Sequence, residues 1–406
     1  MSDDWHMLAE EERLFCDVLE RICAERIAPK AAETDETSGF VHDQLAVLGE
    51  AGMMGANLPE EYGGSGISAP ALLRAVAIVA GACGSTASAL TAHYLATDSI
   101  LIGGTEAQKQ EWLQKAATGE VLGAFALTEP TAGSDPADMK TRARRTESGW
   151  HLKGTKCFIS NGGVADFIVV YAVTDPDKAH RGISAFILPK GTPGLEPGAP
   201  EKTMGLKGGH VFTLNLDCQL PEDALLGEEG RGFRTAMQVL DNGRIEVAAQ
   251  CLGLAKAAMD AAIAYAKDRA AQCLGLAKAA MDAAIAYAKD RVIGGERLTD
   301  RQGIRWMIAD MGVAYRQALL LSQDAARQRQ AAHHGGGRFS LASSMAKLAA
   351  SEAAGRIADT ALQLHGGYGY TRDFPIERIA RDLRIMRIYE GSSEIQRIII
   401  SGNMLA

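Results

Sequence analysis

Three segments of the 406-residue chain collect residue types suited to holding a polar ligand. They are FALTEPTAGSD (125–135), KGTKCFISNGG (153–163) and ALQLHGGYGYTRDFPIERIARDLRIMRIYEGSSEIQR (361–397). Each mixes glycines, hydroxyls and amides, which offer hydrogen-bond donors with little net charge. Other site chemistries lack their signatures. No GxGxxG precedes a helix, and GxxxxGK[ST], HExxH and GxSxG are absent. A nicotinamide Rossmann enzyme, a P-loop NTPase, a zincin and an α/β-hydrolase therefore have no support. Seven scattered cysteines without a CxxC pair exclude a zinc ribbon or thioredoxin-like motif and predict free thiols. No metal site is expected.

The elements that must position these segments fall into three regions. Residues 1–122 read as a helical domain, with Leu8, Phe15, Leu19 and Ile22 at helix spacing and a Gly-rich loop at LPEEYGGSG (58–66). Residues 123–232 shift to a period of two. DFIVVYAVT (166–174) and GISAFILP (182–189) are β-rich, and HVFTLNLDCQL (210–220) alternates as a half-buried antiparallel strand. A small β-sandwich or barrel is expected there. Residues 233–406 return to Ala-rich helical patterns, broken at HHGGGRF (333–339). Helix–strand–helix blocks without βα alternation argue against a doubly wound sheet and for an α+β chain.

One feature is unusual. Residues 248–269 (AAQCLGLAKAAMDAAIAYAKDR) recur unchanged as 270–291. Solenoid repeats drift and come in threes or more, so this is an in-frame tandem duplication. Its 22 residues add about 33 Å of helix and return about 40° out of phase, which predicts an extended helix or an extra helical hairpin.

Net charge is −8, which argues against nucleic-acid binding by bulk electrostatics. The start, MSDDWHMLAEEERLF, has neither signal nor transit character, and no apolar run suits a membrane span. Ala69–Gly104 comes nearest, but Arg74, His93 and Asp98 point instead to a tightly packed internal helix or helix pair. A cytoplasmic protein with no membrane contact is the expectation.

In order and spacing, the three segments resemble the acyl-CoA dehydrogenase family of flavoproteins, short-chain or branched short-chain type. LPEEYGGSG, LLGEEGRGF (225–233) and LDNGRIEVAAQ (240–250) strengthen the resemblance. It implies an N-terminal helical domain, the central β domain and a C-terminal four-helix bundle. It also implies FAD as cofactor, an acyl-CoA substrate desaturated at Cα–Cβ, an electron-transfer flavoprotein as acceptor and a homotetramer.

Residue by residue, Glu390 matches the family's base for the α-proton. An apolar acyl chain would raise its pKa toward neutrality. Ile388 and Tyr389 supply an apolar neighbourhood, and Gly391 permits close approach of substrate. Relatives with the base on the helix of LDNGRIE would place it at Gly243, which cannot serve; Glu246 lies close by in the wrong register. Phe125, Leu127 and Thr128 resemble the segment bonding the isoalloxazine edge, and Phe158 and Ser160 the stretch packing on the ring. Gln363, Leu364, Gly366 and Gly367 resemble the loop meeting a neighbouring subunit's FAD. Ser392 and Glu394 resemble cofactor contacts beside the base. Ser134, Asp241 and Arg244 resemble the lining of the thioester channel. Cys157 and His365 are expected to pack rather than react.

The family's Arg-x-x-Phe-Gly signature, whose Arg reaches the FAD pyrophosphate, has two candidates here. Arg269 fits the helix length after Arg244. Arg291 has the better downstream context, RVIGGERL, with Gly294 where Phe is expected. Gln302 is a further cofactor or interface candidate. The alternatives are an oxidase, monooxygenase or desulfinase on the same fold, and a non-catalytic scaffold or assembly protein. Retention of Glu390 argues against the divergent enzymes.

Overall fold

A computed structural model describes residues 7–133, 135–284, 302–333, 339–365, 369–372 and 375–405, with backbone alone over 259–284 and at 333. The chain opens with α1 (Glu10–Ile22), whose first turn is acidic and whose inner face buries Cys16 and Leu19. Negative side chains at a helix start oppose the positive end of the macrodipole. Short helices α2 (Ala31–Thr37) and α3 (His42–Glu50) follow. The most apolar stretch forms the expected helix pair, α4 (Ala69–Ala82) and α5 (Gly84–Gly103). Ser68 caps α4 by accepting from the Ala71 N–H. Every residue from Gly84 to Ile100 is buried, which the many Gly, Ala, Ser and Thr side chains permit. A capping box, Thr105 with Gln108, starts α6 (Glu106–Thr118).

Seven strands follow: β1 (Gly123–Ala126), β2 (Arg142–Thr146), β3 (Gly149–Ser160), β4 (Phe167–Val173), β5 (Ile183–Pro189), β6 (Leu195–Pro197) and β7 (Val211–Leu220). All belong to one curled sheet of order β1-β4-β2-β3-β7-β6, with β5 paired to β4. β7 alternates as expected: Phe212, Leu214, Leu216, Cys218 and Leu220 are buried, and it runs antiparallel to β3. β1 runs parallel to β4, a pairing that periodicity does not reveal.

The helical remainder comprises α7 (Gly232–Ala284), α8 (Gln302–His333), α9 (Ser340–His365), α10 (Ile376–Arg384) and α11 (Ser393–Leu405). α7, α8 and α9 pack on one another, and α11 packs on α9. The duplication continues α7 as one helix of 53 residues. Its first copy sits in the core: Ala248, Ala249, Cys251, Leu252, Leu254, Ala255 and Ala258 are buried. Gly253 fixes that seating. A Cβ there would lie 2.0 Å from the Ala77 carbonyl oxygen and 2.9 Å from the Gly81 nitrogen, both on α4. Only glycine allows helices this close.

Candidate active site

Tyr389, Glu390 and Gly391 form a sharp turn between the 3₁₀ turn Ile385–Arg387 and α11. Glu390 has φ 53° and Gly391 φ 90°. A left-handed glutamate costs on the order of 1 kcal/mol and persists only when its surroundings fix it. Here they do. The Gln396 side-chain amide donates to the carbonyls of Glu390 (3.2 Å) and Gly391 (2.9 Å). The buried Lys347 amine donates to the Gly391 carbonyl at 2.9 Å. The Tyr389 hydroxyl donates to Gln250 Oε1 at 3.0 Å, and Gln250 Nε2 to Thr91 Oγ1 at 2.9 Å.

The Glu390 carboxylate turns inward onto α7. Its Oε2 is buried and has no hydrogen-bond partner among the described residues. A Cβ on Gly243 would come within 2.5 Å of that oxygen and 2.8 Å of Leu95 Cδ2. Burial pushes the Glu390 carboxyl up to about 7, with the charges of Lys347 and Arg244 pulling the other way. Arg244 is itself buried and hydrogen-bonded to Asp241, which also accepts from Ser340 Oγ at 3.0 Å. Also on α7, Glu246 is pushed up to about 8 by burial despite Arg329 at 3.5 Å. Arg329 also faces Asp98, which accepts from Asn57 and Asn242.

A second group lies on the sheet. The Cys157 N–H donates to the Thr128 carbonyl at 3.0 Å, bringing Phe158 beside the Leu127–Thr128 segment. The buried Lys156 amine holds that segment, reaching the Leu127 carbonyl at 2.9 Å and Glu129 at 2.8 Å. Phe158 sits where the β3–β7 register shifts, has φ 58° and is 70 % exposed. An exposed aromatic face beside fixed backbone suits a planar aromatic ligand. Ser160 is half-buried next to it. The Phe125 ring instead packs on Tyr171, with centroids 5.1 Å apart.

Comparison with known proteins places the whole chain. The descriptions "Acyl-CoA dehydrogenase, N-terminal domain" and "middle domain" fit residues 9–120 and 124–217. "Acyl-CoA dehydrogenase, C-terminal domain" fits 230–272 and 269–405, two stretches that meet inside the duplicated region. The short-chain specific acyl-CoA dehydrogenase of Clostridium acetobutylicum is 39% identical over 399 residues, covering 98% of both chains. Butyryl-CoA dehydrogenase from Megasphaera elsdenii superposes with a TM-score of 0.88 at 36% identity, covering 100% of both. A glutaryl-CoA dehydrogenase from Mycobacterium smegmatis, in complex with FADH2, gives 0.87 at 29% identity, covering 99% of this chain and 96% of that one. The chain belongs to the acyl-CoA dehydrogenase family.

As an acyl-CoA dehydrogenase it uses FAD to dehydrogenate an acyl-CoA thioester. The residues present fit that cofactor, since the exposed Phe158 face and the Leu127–Thr128 backbone make a platform for a planar ring. The remaining expected residues of the acyl-CoA dehydrogenase are more dispersed. At the end of α9, Gln363 is exposed and Leu364 buried. Ser392 and Glu394 open α11, where a bond to its own backbone N–H and the Ser392 hydroxyl hold the exposed Glu394 carboxyl below its usual range. Gln302 is exposed at the start of α8. Ser134, Arg291, Gly366 and Gly367 lie outside the described residues, as does the side chain of Arg269. Cys157 and His365 are buried, with the His365 ring on the Ala361 carbonyl at 2.7 Å.

Sequence reasoning missed Lys347, Gln396, Gln250 and Thr91. Only Gln250 carried a signal. It follows Gly243 by seven residues, two turns along one helix face.

No helix among the described residues is long and apolar enough to cross a membrane. No group of metal-ligating side chains occurs among them either.

Proposed function

We propose that this acyl-CoA dehydrogenase acts on short acyl-CoA thioesters, straight or branched, and that Glu390 removes the α-proton. The observation that carries the reading is the buried, unpartnered Glu390 oxygen against Gly243. A carboxylate shifted to about 7 is a poised base at neutral pH. FAD, when bound, accepts the hydride that leaves Cβ. The Glu390 amide N–H is the chain's own donor to the thioester carbonyl, steadying charge that develops on its oxygen.

Chain length is limited by a cross-strut. Gln250 bridges Thr91 and Tyr389 about 10 Å along α7 from Gly243. An acyl chain of a few carbons fits before it, and a longer one meets it. Asp241 and Arg244, with Ser134, line the thioester channel. Leu127, Thr128, Phe158 and Ser160 hold the flavin ring, with Phe125 packed beneath and Ser392 and Glu394 beside the base. Gln363, Leu364, Gly366, Gly367 and Gln302, with Arg269 or Arg291, serve a neighbouring subunit's cofactor in a homotetramer. The packed first copy favours Arg269, because α7 reaches it without interruption. An electron-transfer flavoprotein takes the electrons, in the cytoplasm.

The test is anaerobic flavin bleaching by acyl-CoAs of increasing length and branching. Fastest bleaching at about four or five carbons supports the reading. Fastest bleaching by a long chain, or by a non-thioester only, contradicts it.

A further inference from the structure

Lys347 stands out among the buried charges that the reaction does not use directly. It lies on α9 among the buried small residues Ser343, Ser344, Ala346, Ala350 and Ser351, with no exposure. Burying an ammonium is costly unless it is paired. Its hydrogen-bond partner is not a carboxylate. It is the Gly391 carbonyl at 2.9 Å, one residue after Glu390.

We propose that Lys347 is a positioning residue for the dehydrogenation: its amine pins the left-handed turn that presents Glu390 and sets a cation beside that carboxylate. This rests on the reading of Glu390 as the base. Gln396 reaches the same carbonyl from α11, so the Gly391 oxygen is held from two helices. This pair holds the Gly391 carbonyl against the strain at Glu390, while Tyr389 anchors the turn from its other side through Gln250. The groups facing Glu390 are few. From α9 comes Lys347, itself faced by Glu352. From α7 come Arg244, Glu246 and Cys251, and Tyr389 adjoins it in sequence. Lys347 and Arg244 are the two cations that favour the ionised base. Arg244 is committed to Asp241, whereas Lys347 acts on both the backbone and the charge.

The experiment uses FAD-loaded enzyme, butyryl-CoA and anaerobic stopped-flow across pH. Lys347→Met should keep its flavin, reduce it about tenfold more slowly and leave butyryl-CoA affinity within about threefold. Its acidic limb should move to higher pH, because loss of a neighbouring cation raises the base. Lys347→Arg, which keeps the charge, should return that limb to the wild-type position. Lys347→Met with the wild-type rate and limb overturns the proposal. So do two variants equally slow with unmoved limbs, since that is packing alone. If Lys347→Met does not accumulate with flavin, Lys347→Arg decides: a wild-type limb supports the role and a displaced limb refutes it. Glu390→Gln in the same assay separates the two claims. Rapid bleaching by that variant refutes the base itself, whereas an inert Glu390→Gln beside a normal Lys347→Met refutes only the role of Lys347.

Discussion

The carboxylate of Glu390 rests directly against Gly243: a single added methyl would lie 2.5 Å from its Oε2. The absent side chain on α7 is thus part of the site's shape. Gly243 keeps open the space in which the Glu390 carboxylate sits, so the position proposed here for the base lies against α7 at Gly243.

Gly243→Ala should therefore displace the base without unfolding the helix, since alanine favours helix over glycine by roughly 1 kcal/mol. Flavin content should stay at the wild-type level while the rate of flavin reduction by butyryl-CoA falls at least about tenfold. Rapid-mixing spectroscopy checks this. A wild-type rate would mean that the carboxylate does not work from this place.

The carboxyl raised to about 7 has consequences for both activity and stability. As the proposed base Glu390 must be ionised to act, so kcat/KM should rise with pH through an acidic limb near 7. Stability runs the opposite way. Below about 4.5 the group is neutral in both folded and unfolded chains. Between about 4.5 and 7 the folded chain keeps a proton that the unfolded chain has lost, so this contribution declines as pH rises and is gone above about 7. The loss is on the order of 3 kcal/mol. Glu390→Gln should therefore raise Tm relative to wild type at pH 8 and change it little at pH 4.5. Paired thermal melts of the two proteins cancel the separate titration of Asp382, whose carboxyl burial pushes up to about 6.

The strut Thr91–Gln250–Tyr389 predicts a change in chain preference. Gln250→Ala removes both hydrogen bonds and the side chain that spans from Thr91 to Tyr389. Its kcat/KM should shift from four-carbon toward six- to eight-carbon acyl-CoAs by about tenfold or more, in line with roughly 0.8 kcal/mol per buried methylene. An unchanged chain-length profile would place the limit elsewhere.

Much of the fold is legible in the sequence. The alternation of Phe212 to Leu220 gave β7 and its buried face, and the small residues of 84–103 gave an internal helix. Glu390 was marked by its motif. The supports were not. Lys347 lies in SSMAKLAASEAA, where a lone lysine reads as a solvated position, and only the fold brings Gly391 against it. Phe158 and Glu390 carry side chains that disfavour positive φ, so sequence argues against the turns they occupy. The parallel β1–β4 pairing depends on long-range topology that a period of two cannot report.

The duplication gives a prediction specific to this chain. The first copy packs through Gly253 onto α4, so deleting 270–291 leaves the core intact and joins Arg269 directly to VIGGERL. The shortened chain should fold, with FAD content or oligomer mass altered from the full-length protein. Absorbance at the flavin band and light scattering report both quantities. Identity in both would show that the extra segment touches neither cofactor nor assembly.

The most direct test of the account is a comparison of wild type with Glu390→Gln, each loaded with FAD and mixed anaerobically with butyryl-CoA. The wild type should bleach rapidly. The variant should bind flavin and ligand yet reduce flavin slower by a factor of about 10² to 10⁴, the usual worth of a positioned general base. Bleaching by the variant at a rate near that of the wild type would contradict the assignment of Glu390.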